Sequence, residues 1–284
     1  MHAQRHVTER FCLLRRCLNG AFALIAVAIS PAWQAARAST TIVPSEIAGP
    51  ISASANVDRI VARLKNNLSG EMLGNFHLFL YVDKADGGPF AQRMYVFQQE
   101  AGGDLTLLYN WPVSTGREQL EPDIHGQTQL SLTPGGFYEF DPQRFYVDYN
   151  SAQWDEPMPF AMFFNWKPGG RDTGLAIHAA ADDGVSELGK RASAGCIRLA
   201  PENAQVLFAL VRAQPREPTP MLAYRPSADV TSSDGLLLHD QDGRLQLADN
   251  YPVLVFVEDY RGEDQISSLS TGPGNIVAVE TPTR

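Results

Sequence analysis

From Phe76 to Glu258 the chain alternates short apolar runs with glycine- and proline-rich breaks, and that rhythm constrains the fold more than any other feature. The runs are Phe76–Val82, Arg93–Gln98, Leu105–Trp111, Phe137–Phe140, Arg144–Tyr149, Phe160–Asn165 and Leu175–His178. Gly87-Gly88, Gly102-Gly103, Pro134-Gly135-Gly136 and Pro168-Gly169-Gly170 separate them as turns. Runs this short, rich in Val, Phe and Tyr, suit strands better than helices. The chain therefore reads as a mainly β domain with few short helices.

Two helices stand out against this background. Ile60, Val61, Leu64 and Leu68 recur at helical spacing and predict a helix over Asn56–Leu68. Pro201 suits a first helical position, Ala204, Leu207, Phe208 and Val211 form the stripe behind it, and Pro215 lies just past the end. The apolar run Pro252–Glu258 predicts a last strand that returns to the main sheet. That return would make residues 213–250, with a hairpin turn at Asp242-Gly243, an insertion within one domain spanning 76–259. Residues 39–75 read as a tether followed by the first helix, and 260–284 as a flexible tail.

The N-terminus reads as an export signal. Arg5, Arg10, Arg15 and Arg16 precede an apolar stretch from Leu18 to Ile29, and Ala36-Arg37-Ala38 supplies a small-residue cleavage site. The stretch is about 12 residues, short of the roughly 20 that span a bilayer. Cleavage after Ala38 is expected, leaving a protein without a stable membrane span in the periplasm or cell wall. The whole chain has 23 Lys+Arg and 32 Asp+Glu; removing five Arg and one Glu leaves 18 against 31, a net charge of −13. Nucleic-acid phosphates would be repelled by such a surface, so no nucleic-acid partner is expected.

Cysteine usage narrows the chemistry. Cys12 and Cys17 leave with the signal, so Cys196 stands alone in the mature chain and cannot form an internal disulfide. Taken alone, a lone cysteine reads as a small buried apolar residue. Its neighbours, Gly174 to Leu199 (GLAIHAAADDGVSELGKRASAGCIRL), read differently. On a strand over Leu175–His178, Leu175 and Ile177 share one face, and His178 points out of the core, where a base can be reached. On an extended Cys196–Leu199, Ile197 and Leu199 are buried while Cys196 and Arg198 share the other face. A guanidinium beside the thiol would favour thiolate. Ser193, Ala194 and Gly195 are small enough for a tight turn whose backbone N–H groups could hold an oxyanion. His77, His125 and His239 fit no metal-ligand spacing, and no metal or cofactor is expected.

This spacing resembles the L,D-transpeptidase catalytic domain (YkuD-like) family. The family signature is a histidine, 14 to 17 residues, Ser or Thr, one residue, Gly, Cys, an apolar residue and often Arg. Here residues 179–192 separate His178 from Ser193, and Ser193-Ala194-Gly195-Cys196-Ile197-Arg198 follows. Upstream, Val113-Ser114-Thr115-Gly116 resembles the family's V-S-T-G segment and Thr133-Pro134-Gly135-Gly136-Phe137 its T-P-x-G-x-F segment. Met158-Pro159-Phe160 resembles the segment before the histidine strand. Ala179 and Ala194 depart from the Gly and His many members carry there.

The resemblance implies a β-rich sandwich or barrel and a cysteine acyltransferase acting on peptidoglycan stem peptides. Cys196 would be the nucleophile and His178 its base, with Ser193 orienting His178 or steadying the turn and the backbone N–H groups around Gly195 and Cys196 holding the oxyanion. Arg198 would grip a substrate carboxylate or support the loop. A 3→3 crosslink with loss of D-alanine is the implied reaction. The same site could instead serve an L,D-carboxypeptidase or endopeptidase, or an inactive wall-binding module.

Overall fold

The computed structural model describes residues 50–223 and 236–261. The signal, most of the tether and most of the tail expected from the sequence lie outside these residues. Two helices, α1 (Pro50–Asn67) and α2 (Gly70–Asn75), lead into strands β1 (Leu78–Asp83), β2 (Arg93–Gln99) and β3 (Leu105–Pro112). Short strands follow: β4 (Thr115–Gly116), the hairpin β5 (Leu120–Pro122) and β6 (Thr128–Leu130), then β7 (Gly136–Tyr138). Next come β8 (Phe140–Tyr146), β9 (Asn150–Ser151), β10 (Glu156–Pro157), β11 (Ala161–Phe164) and β12 (Ala176–Ala179). β13 (Arg191–Ser193) and β14 (Ile197–Leu199) precede α3 (Pro201–Ala213). β15 (Glu217–Pro220), β16 (Leu222–Ala223), β17 (Leu236–Leu237), β18 (Leu247–Asn250) and β19 (Val253–Glu258) complete the order.

These strands build two principal sheets, one ordered β3-β2-β1-β19-β7 and the other β14-β12-β11-β8. Strand alternation explains how they face each other. Leu78, Leu80 and Val82 of β1 and Val253, Val255 and Val257 of β19 meet Met162, Phe164, Ile177, Ile197 and Leu199 of the second sheet in one core. Leu207 and Val211 of α3 join the same core. The intervening β1 residues Phe79 and Tyr81 point outward, where Ile60, Leu64 and Leu68 from the α1 region cover them. Both faces of β1 are therefore buried, and its sequence is a continuous apolar run rather than an alternating one. Each such side chain removed from water contributes about 1.5–3 kcal/mol before chain entropy is counted.

α1 starts at Pro50, before the predicted Asn56. The short α2 has no apolar stripe; Ser69 begins it, its Oγ accepting from Met72 N at 3.1 Å. Between β7 and β8 the chain crosses from one sheet to the other at Glu139. The Asp242-Gly243 turn closes with Asp240 N donating to Arg244 O at 2.8 Å, and Gly243 takes a φ of +77°. The strand Val253–Glu258 lies between β1 and β7, parallel to β1.

Candidate active site

The second sheet brings the two signature segments side by side. β12 and β14 run parallel, with Ile177 opposite Ile197 and His178 opposite Arg198. Ile177, Ile197 and Leu199 face the main core, so His178, Cys196 and Arg198 are left on the other face. There they line a cavity of about 300 Å³ together with Glu156, Trp154 and Trp166. The predicted facing of the two strands is the one observed, but His178 is buried, only 2% exposed, rather than standing open at a strand end. Met158 and Leu175 are among the apolar residues lining the same cavity.

Burial sets the electrostatics. His178 Nδ1 lies 2.8 Å from Ala179 O, and a carbonyl only accepts, so Nδ1 carries the proton and Nε2 keeps its lone pair. Burial holds the imidazolium down to a pKa of about 4, with the Arg198 charge a smaller cause; the Ala179 carbonyl opposes both. Cys196 is half-buried, and its Sγ donates to Gly174 O at 3.3 Å. Desolvation pushes the thiol up to about 11, against the lowering influence of the Ala176 backbone and of Arg198. Arg198 acts on the thiol in the direction expected of a guanidinium beside it, but burial outweighs it. Its guanidinium is ion-paired at 2.6 Å with Glu156, whose own charge pushes the thiol up. At neutral pH the resting pair is thiol and imidazole, both uncharged. Among the described residues no hydrogen bond joins them.

The nucleophile turn is held by side chains on its own strand and beyond. Ser193 Oγ accepts from Gly195 N at 3.0 Å and donates to Cys196 O at 2.5 Å, so Ser193 steadies the turn and makes no bond to His178. Gly195 has a φ of +130°, and a Cβ there would meet Leu132 O at 3.0 Å. Two residues went unassigned by sequence reasoning. Glu156 lies in the two-residue strand β10 with no spacing to signal it, and Thr133, although inside a recognised segment, carries no sequence signal for its hydroxyl, which donates to Gly195 O at 2.6 Å. Among the described residues no cluster of three His, Cys, Asp or Glu is placed to hold a metal. Nor is any helix among them long and apolar enough to cross a membrane.

Fold and site together describe a β-sandwich domain that presents a cysteine and a histidine to one cavity. Residues 80–220 match the L,D-transpeptidase catalytic domain model (YkuD), and through that domain the chain belongs to the family. No curated protein matches the chain. Similar solved structures include an L,D-transpeptidase from Mycobacterium smegmatis, 16% identical, covering 64% of this chain and 59% of its own, with a TM-score of 0.32. An L,D-transpeptidase from Stackebrandtia nassauensis is also 16% identical, covers 47% of this chain and 50% of its own, and scores 0.30. The helical cell shape determining protein Pgp2 from Campylobacter jejuni is 18% identical, covers 71% of this chain and 55% of its own, and scores 0.35. The chain thus spans between half and about three fifths of the length of these proteins.

Proposed function

We propose that this protein is an exported peptidoglycan L,D-transpeptidase, comprising a catalytic domain over 76–259 with an insertion at 213–250. Cys196 serves as nucleophile and His178 as base. The observation that carries this reading is the joint placement of Cys196 and His178 on one cavity, with Nε2 of the histidine left as the basic nitrogen.

The charge state dictates how the steps run. Because thiol and imidazole are both neutral at rest, His178 Nε2 takes the Sγ proton as sulfur attacks the carbonyl between the third stem residue and terminal D-alanine. The C–S bond forms and the carbonyl pair moves onto oxygen. Collapse breaks the C–N bond, and the imidazolium protonates the departing D-alanine nitrogen. The amine of a second stem then attacks the thioester, closing a 3→3 crosslink and returning the thiol. Burial helps the collapse that completes acylation. An imidazolium whose ordinary stability is lost returns its proton readily to the leaving amine.

The mature chain, residues 39–284, incubated with a disaccharide tetrapeptide and followed by mass spectrometry, tests the reading. D-alanine release with a 3→3 dimer is the expected result, abolished in Cys196→Ala. Release with tripeptide alone would make the protein a carboxypeptidase that uses the same site. Full activity in Cys196→Ala would overturn the mechanism.

A further inference from the structure

Three of the four segments that carry the family resemblance lie apart in the chain, and the structure joins them at one hydroxyl. Thr133 is fully buried. Its Oγ1 accepts from Gly116 N at 2.8 Å and donates to Gly195 O at 2.6 Å. The first contact reaches the V-S-T-G segment and the second reaches the nucleophile turn. Both glycines press on the chain around Thr133: a Cβ on Gly116 would sit 2.3 Å from Ser131 O, and one on Gly195 3.0 Å from Leu132 O. Leu132 and Pro134 line the cavity while Thr133 does not, as alternation along an extended chain requires.

The consequence follows from the planarity of a trans peptide. The carbonyl of Gly195 and the N–H of Cys196 belong to the same peptide unit and point in opposite directions. Thr133 holds that carbonyl from the side away from the cavity, so the Cys196 N–H is turned toward the cavity. It donates to no acceptor among the described residues, whereas the neighbouring Gly195 N–H is engaged by Ser193 Oγ. We propose that Thr133 is a positioning residue: by fixing the Gly195 carbonyl, its hydroxyl aims the Cys196 N–H at the oxyanion formed during acyl transfer. This inference rests on the acyl-transfer reading given above.

Two reactions of the same thiol separate this role from a merely structural one. Acylation by a carbapenem forms an Sγ–C bond at a carbonyl and moves the π pair onto oxygen. The ring C–N bond then breaks and its nitrogen takes up a proton. Alkylation by iodoacetamide forms an Sγ–C bond at a saturated carbon and expels iodide, with no oxyanion. Both rates would be measured by mass spectrometry at Cys196 of the full chain. Removing a direct oxyanion donor costs 10²–10³-fold, so misaiming one should slow acylation by about 10- to 100-fold. Thr133→Val should show that loss with alkylation unchanged, and Thr133→Ser, which keeps the hydroxyl, should restore acylation to within a few-fold.

Equal acylation in Thr133→Val and wild type would overturn the proposal, as would parallel loss of both rates or no rescue by serine. If Thr133→Val does not fold, Thr133→Cys serves instead. Its weaker S–H donor should lower the acylation-to-alkylation ratio several-fold, and an unchanged ratio would overturn the proposal. A wild-type protein that is alkylated but never acylated would overturn the acyl-transfer reading itself, and this inference with it.

Discussion

At the scale of single residues, the controlling fact is that Cys196 and His178 are both uncharged at rest. Burial sends the thiol up to about 11 and the imidazole down to about 4, which widens the gap that a preformed thiolate–imidazolium pair would have to close. The thiolate fraction should therefore keep growing well past the range of an ordinary cysteine. Alkylation of Cys196 in the resting protein is expected to climb close to tenfold per pH unit from pH 7 to 9.5. A plateau near pH 8.5, read by mass spectrometry, would show a thiol unaffected by its surroundings. Loss of the base has a separate signature. His178→Ala should slow acylation by roughly 10²–10⁴-fold, the usual contribution of a positioned base, with the cysteine still present to be alkylated at high pH. Arg198, which the resemblance offers as a grip on a substrate carboxylate or a support for the loop, is held by Glu156 in the resting site. Both oxygens of Glu156 lie on its Nη2, at 2.6 and 2.7 Å, so in the resting site its charge is already answered.

At the scale of elements, what the sequence made legible and what it hid divide along physical lines. Helix α3 could be read because its apolar residues recur at a helix period, and strands β2, β3 and β19 because short apolar runs are set off there by turn residues. β1 was legible as a run, although burial on both faces erased its alternation. The crossing at Glu139 was hidden, since nothing in Phe137–Phe140 shows that β7 and β8 belong to different sheets. The facing of His178, Cys196 and Arg198 could be read from alternation, but the depth of His178 could not. That depth is a product of tertiary packing, which alternation along one strand does not encode. The role of Thr133 was hidden for the same reason: it is a contact between segments, with no period of its own. Gly116 marks that contact sterically. Gly116→Ala would place a methyl 2.3 Å from Ser131 O and 2.7 Å from Thr133 N, both backbone atoms that yield little. A loss of about 1–3 kcal/mol in unfolding free energy is expected, the common cost of overpacking. Acylation should slow as well, since the same displacement moves Thr133. Denaturant unfolding and the carbapenem rate would check the two together.

At the scale of the whole molecule, buried ionisable groups on both sheets tie stability to pH, and they pull in opposite directions. His178 titrates at about 4 in the fold and near 6.5 when exposed, so its contribution is complete above pH 6.5 and is lost as pH falls toward 4. Glu139 behaves in the opposite sense. Burial raises it from 4.5 to about 7 despite the Asn165 amide donating at 2.8 Å, so its contribution is complete below 4.5 and is lost as pH rises through 7. Asp83, raised by burial from 3.8 to about 6, adds to the same trend. Two carboxyls against one imidazole predict a fold that gains stability when acidified from pH 8 to 5. Glu139→Gln isolates the largest carboxyl contribution, because a neutral amide of the same shape still offers an oxygen to Asn165. Moving Glu139 from 4.5 to about 7 corresponds to on the order of 3 kcal/mol at pH 8, enough to move Tm by several degrees in a domain of this size. The variant should melt above wild type at pH 8 and level with it at pH 5. A gap that stays constant across that range would mean that Glu139 is not the titrating group, since a charge-independent packing effect has no reason to close as the proton arrives.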